Sequence, residues 1–209
     1  APIEPFYGYS YSQCIYTAAE LTAAGLQSGS EISMLIYQLN SSSLANSDNW
    51  TVYIGHTSTD AFVGNNSTNW ISTSNMSLFA LNTTPSISQN GSHYDVRVGG
   101  IPFSWDGSSN IVIAVDENAS SYGSSSIDFY ARDVGSTSRT IVYKNDYTNP
   151  DPTNMGTTDA SINWSYVPNL SVVASNITCF STPFVMNMEG GITWEKDGWA
   201  AVSGAITSS

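Results

Sequence analysis

Ile111-Val112-Ile113-Ala114-Val115-Asp116-Glu117-Asn118 runs five apolar residues into two acids and an amide. The apolar run is too short for an ordinary helix and is dominated by β-branched strand formers. Turn residues, Trp105 to Asn110, stand immediately before it. A segment apolar on both of its faces belongs in a sheet covered on both sides, so Ile111–Val115 is expected to be a central strand. Asp116 and Glu117 are neighbours, so on a strand their side chains would point to opposite faces and could not form an acid/base pair. Where the apolar wall ends, these acids are expected to mark an exit to a surface loop, the usual place for function.

Working outward, the same grammar repeats. Tyr7, Tyr9 and Tyr11 alternate with Gly and Ser, a period-2 strand with one aromatic face. Such a face more often packs on a neighbour than on a sugar. Thr17 to Ala24 reads as one short turn or another strand edge. Glu31–Leu39, Trp50–His56, Asn75–Leu81, His93–Val98, Ser126–Ala131, Arg139–Lys144 and Asn163–Val173 read as strands, the second half-buried and the last interrupted at Pro168. Pro85 to Gly91 is turn-rich, and Asn149-Pro150-Asp151-Pro152 is a rigid loop. Short strands separated by turns, with almost no helical periodicity, predict an all-β protein. The expected architecture is an antiparallel, jelly-roll-like β-sandwich over residues 1–174 with a strand-forming extension at 175–209.

Composition narrows the function. Five Lys+Arg against seventeen Asp+Glu give a net charge of −12, which excludes nucleic acid and anionic membrane surfaces as partners. Charged residues make up only 11% of the chain, so its polar surface must come from Ser, Thr and Asn, as suits an extracellular or cell-surface protein. No apolar run approaches a membrane span, and the opening Ala1-Pro2-Ile3 is expected to follow a removed leader. Asn-x-Ser/Thr triplets begin at Asn40, Asn49, Asn65, Asn66, Asn75, Asn82, Asn90, Asn118, Asn163, Asn169 and Asn176. Chance would give roughly half as many, so composition competes with N-glycosylation as their explanation. Two cysteines, Cys14 and Cys179, favour a disulfide in an extracellular chain, with two buried thiols as the alternative. That bridge would close a loop of about 165 residues and contribute at most ~5 kcal/mol.

Residues 5–172 resemble a module found in large secreted and surface proteins of Bacteroidetes-type bacteria. The resemblance is carried by Phe6-Tyr7-Gly8-Tyr9-Ser10-Tyr11-Ser12-Gln13, by Ser43 to Thr57, by Asn110 to Asn118, by Tyr147-Thr148-Asn149-Pro150-Asp151-Pro152 and by Ser165-Tyr166-Val167-Pro168-Asn169. It implies a non-catalytic extracellular β module in multidomain proteins and brings no catalytic residue with it. Cys14, where a hydroxyl or small residue is expected, and the tail after about Ala174 depart from the pattern.

Candidate chemistry is sparse. The two histidines, His56 and His93, lack metal-ligand spacing, and no nucleophile elbow is present. Asp116, Glu117 and Asp151, with Asn118 and Asn149, offer hard oxygen ligands suited to calcium, but side-chain capping of turns is the reading preferred for them. No catalytic residue, cofactor or metal is assigned. The expected function is a non-catalytic module in adhesion or in an extracellular filament, with other copies of itself or neighbouring surface modules, and glycans, as partners. The alternative is an accessory carbohydrate-binding module using the tyrosines and Trp50, Trp70, Trp105 and Trp164. The tail, with Phe184, Trp194, Trp199 and Ile206, is expected to pair with its own sandwich, to begin a further module, or to add a strand to a neighbouring subunit.

Overall fold

In the computed structural model the chain divides into two units, Ala1–Ile177 and Thr178–Ser209, and the structure describes residues 1–176. The extension beyond Asn176, the side chain of Asn176, Cys179 and the expected Cys14–Cys179 bridge lie outside the described residues. Cys14 itself is a buried thiol that accepts a weak hydrogen bond from the Thr140 hydroxyl at 3.4 Å.

Among the described residues twelve strands follow one another: β1 (Tyr9–Tyr16), β2 (Ser30–Leu39), β3 (Trp50–Thr57), β4 (Ser77–Thr83), β5 (Ser86–Asn90), β6 (His93–Ser104), β7 (Asn110–Glu117), β8 (Ala131–Asp133), β9 (Thr140–Asn145), β10 (Ile162–Trp164), β11 (Tyr166–Pro168) and β12 (Leu170–Asn176). They form a six-stranded sheet in the order β10-β9-β1-β7-β3-β4, a four-stranded sheet in the order β12-β2-β6-β5, and a small β11-β8 pair. Every pairing is antiparallel. The protein is an all-β sandwich, and the apolar run Ile111–Val115 lies in one of the two central strands of the six-stranded sheet, flanked by β1 and β3.

The two faces of β7 explain its composition. Ile111, Ile113 and Val115 join Trp50, Val52 and Ile54 of β3 in packing against Leu35, Tyr37, Val96 and Val98 of the four-stranded sheet. Ala114 faces the other way, into a second core where Tyr11, Ile15 and Ile141 from the sheet meet Phe62, Trp70, Met155 and Ala160 from loops. Sandwich sheets commonly leave the outer face to water; here loops seal it. Gln13 fastens the seal, donating from Nε2 to the Ile71 carbonyl at 2.7 Å and accepting from the Ile71 amide at 2.9 Å. For the same reason β3, expected to be half-buried, is buried on both faces over most of its length.

Local signals account for the connections. Asp106 accepts the amides of Ser108 and Ser109 at 2.8 and 2.7 Å, closing the turn into β7. Gly107 sits there at φ 83°, with Ser28 so near that a Cβ would lie 2.7 Å from it. The ambiguous Thr17–Ala24 segment is a helix, α1 (Ala18–Ala23), started by a capping box: Thr17 accepts from the Glu20 amide, and Glu20 accepts from the Thr17 amide. The turn-rich stretch from Pro85 contains a strand after all, β5, because a tight turn at Gly91 folds it onto β6. Of Ser126–Ala131 only Ala131 belongs to a strand, as the first residue of β8; Ile127 and Phe129 enter the core, and Phe129 makes a single bridge to Leu39.

Candidate functional site

The acids at the end of the central strand are the most unusual groups in the described residues. β7 does not stop at Val115; it carries Asp116 and Glu117 as its last two residues. The expected exit to a surface loop is therefore corrected. Asp116 is 4% exposed and Glu117 fully buried, because neighbours on both sides, Tyr11 and Thr51 for Asp116 and Ser10 and Trp50 for Glu117, keep them inside the sheet. Their alternation on the pleat does hold, so they point to opposite faces.

Asp116 lies on the face sealed by loops. Its Oδ2 accepts from the Asn118 side-chain amide at 2.8 Å, and Asn149 donates to the Asn118 oxygen at 2.8 Å. Oδ1 is buried without a hydrogen-bond partner. Burial raises the Asp116 carboxyl to about 6, the nearby charge of Asp151 adding to the rise and Asn118 opposing it. Glu117 faces the main core. Its Oε1 accepts from the Ala119 amide at 2.8 Å, while Oε2 has no partner. Burial pushes Glu117 up to about 8, with the Asp116 and Asp48 charges contributing. Both acids can hold protons at mild pH, yet a sheet separates them and solvent reaches neither freely. Paired carboxylates that cleave a glycosidic bond must flank the same substrate, which this placement prevents.

The predicted oxygen-ligand set is only partly assembled. Asp116, Asn118 and Asn149 form one hydrogen-bonded chain, while Asp151 caps a short 3-10 turn, accepting from the Thr153 amide and hydroxyl at 2.9 and 2.7 Å. Glu117 lies on the other face. Capping and chain-internal hydrogen bonds thus engage these groups.

The aromatic candidates are mostly interior. Trp50 and Trp105 are buried, and their indole N–H groups donate to the Ser47 and Ser109 carbonyls at 2.9 and 2.8 Å. Trp70 donates to Thr158 at 2.7 Å and tilts against Tyr11 in the loop-sealed core. Trp164 is half-buried. The Lys144 ammonium stands 4.5 Å from the centre of the Tyr7 ring and so occupies one of its faces. Ring pairs in contact among the described residues cross at angles from 44° for His56–Phe103 to 87° for Phe6–Tyr7; no coplanar platform is among them.

The histidines lie in different sheets. His56 accepts the Asp106 amide at 3.1 Å, and His93 lies 3.3 Å from Asp95, which also pairs with Arg97 at 2.7 Å. Of the glycosylation candidates, Asn65, Asn66, Asn75, Asn82 and Asn90 are exposed. Asn40 is exposed too, but its amide donates to the Ser126 carbonyl at 3.0 Å, as that of Asn90 does to the Asp95 carboxylate at 3.2 Å. The Asn118, Asn163 and Asn169 amides donate to Asp116, Gly64 and Gln38, and Asn49 is half-buried.

No family model matches the chain, and no curated protein or solved structure matches it either.

Proposed function

We propose that this chain is a secreted, non-catalytic β-sandwich module that works at the cell surface, in adhesion or as a structural subunit of an extracellular filament. One observation carries the reading. The two acids with the most catalysis-like protonation sit back to back through one sheet, buried in separate cores, so their chemistry serves the fold rather than a substrate. The resemblance of residues 5–172 to modules of large surface proteins, and a surface built from neutral polar residues, agree with it. The carbohydrate-binding alternative is the weaker one, because Trp50, Trp70 and Trp105 are fastened into cores.

Sedimentation of the full chain over rising concentration, followed by negative-stain imaging, tests the assembly reading. Concentration-dependent, ordered oligomers support it, and a chain that stays monomeric at high concentration rejects the filament role. A glycan-substrate screen tests the non-catalytic part. Turnover abolished by Asp116→Asn or Glu117→Gln in a folded variant would overturn it.

A further inference from the structure

β12 is an edge with unusual properties. Among the described residues its one neighbour is β2, so every second backbone N–H and C=O on its other side has no strand to pair with. Proteins blunt such edges with charge, Pro, bulges or short length. β12 spans seven residues, Leu-Ser-Val-Val-Ala-Ser-Asn, with neither charge nor Pro. Its irregularity, between Val173 and Ala174, lies toward β2.

Beside this edge the sandwich opens into a cleft of about 640 Å³. Leu170, Val172 and Ala174 form one wall, and Leu21, Ala23 and Leu26 around α1 form the other. Those β12 residues alternate, so they lie on the inward face of the strand. A further strand at this edge would continue the sheet and send every second side chain into the cleft.

The cleft is also charged at one end. Glu20 is held bidentately by buried Arg139, at 2.6 and 2.8 Å, and Arg132 joins it at 2.5 Å. Two guanidinium groups on one carboxylate leave a surplus positive charge in a chain whose net charge is −12. Arg132 is 46% exposed and lines the cleft. Its place along the groove is fixed, because it pairs in register with Val167, just before β12 begins. Tyr16 marks the same end, donating to the Pro168 carbonyl at 3.1 Å.

We infer that β12 and its cleft bind an extended peptide strand of a partner protein, added antiparallel, with apolar residues at alternate positions and an acidic residue at its C-terminal end. Antiparallel addition brings that end to Leu170 and so to Arg132. Main-chain hydrogen bonds to β12 provide the affinity, and the cleft and the guanidinium select the sequence and direction. The inference rests on the non-catalytic module proposed above and names the kind of partner it would hold.

The test uses the full chain and a labelled synthetic peptide, acetyl-Thr-Val-Thr-Val-Thr-Val-Thr-Glu-amide, whose Glu shares the face of its Val residues, with its reversed sequence as control. The expected result is saturable binding of the first peptide, weakened roughly ten-fold by moving the Glu to the other end or by Arg132→Gln. Arg132→Gln leaves the Arg139–Glu20 pair in place, so the fold is retained. Ala23→Trp, at an exposed position in the groove wall, should block binding without touching the charge. Hydrogen exchange should show the β12 amides that face away from β2 protected only when the peptide is present. The inference is overturned by no binding at millimolar peptide, by equal binding of both directions, or by decanoate binding through Arg132 where the peptide does not bind. It is equally overturned if the β12 amides that face away from β2 are already protected in the free chain. Ordered assembly without peptide binding would reject this edge alone, whereas peptide binding by a strictly monomeric chain would reject the filament role and keep the edge.

Discussion

Glu117 is fully buried, and one of its carboxylate oxygens has no hydrogen-bond partner. An unfolded chain ionises this group near 4.5, and the folded chain near 8. Between those values the folded state holds a proton the unfolded state has lost, so stability falls as pH rises, by up to about 1.4 kcal/mol per unit. Asp116, raised to about 6, adds to the fall over the lower part of that window. Glu20 acts in the opposite sense. Burial raises its carboxyl, but hydrogen bonds from Arg139, Thr17 and Arg132 outweigh burial and hold it well below the ordinary range. Its stabilisation is present above 4.5 and is lost as pH drops. The protein should therefore be most stable around pH 4–5. Glu117→Gln keeps an acceptor for the Ala119 amide and removes the ionisation. Denaturant midpoints measured from pH 5 to pH 8 should fall less in this variant, with a gain on the order of 2–3 kcal/mol at pH 8. A variant no more stable than the parent at pH 8 would contradict the account.

At the scale of the element, α1 is too short to persist by itself and depends on its first turn. Thr17→Ala removes one half of the capping box and should cost about 1 kcal/mol. Glu20→Ala removes the other half and also strands Arg139, whose side chain is 6% exposed; the expected cost is about 3–5 kcal/mol. Equal losses for the two variants in chemical denaturation would show that the ion pair contributes little. The same helix marks where sequence reading reaches its limit. Its apolar face is one residue deep, Leu21, so no period was there to find. β5 is hidden for another reason: Ser86-Ile87-Ser88-Gln89-Asn90 has weak strand propensity and is a strand because β6 lies against it. β1, β2, β7 and β9 were legible, since burial on a pleated face leaves alternation or an apolar run in the chain itself. The acids of β7 were legible as neighbours on opposite faces. Their burial was not, because the covering residues Phe62, Trp70 and Met155 come from loops remote in sequence.

For the molecule as far as it is described, residues 1–176 supply both sheets around the main core and the strands and loops of the second one. A fragment ending at Asn176 should unfold in one cooperative thermal transition, with blue-shifted emission from Trp50 and Trp105 that moves to longer wavelength as it melts. A broad, non-cooperative melt would mean that this unit is not self-sufficient. Sequence alone predicted the sandwich at this scale but not a second core outside it, since loops are expected to lie over water. That second core has an evolutionary consequence. Loops normally drift freely while strands hold the fold, but here Phe62, Trp70, Met155 and Ala160 are loop residues with interior duties, and Gln13 of β1 grips Ile71 through both of its backbone groups. Substitutions in these loops and in the outward face of β1 must be accepted together, so descendants of this chain should diverge instead in the exposed segments 120–122 and 135–137, which can change without renegotiating the sheet.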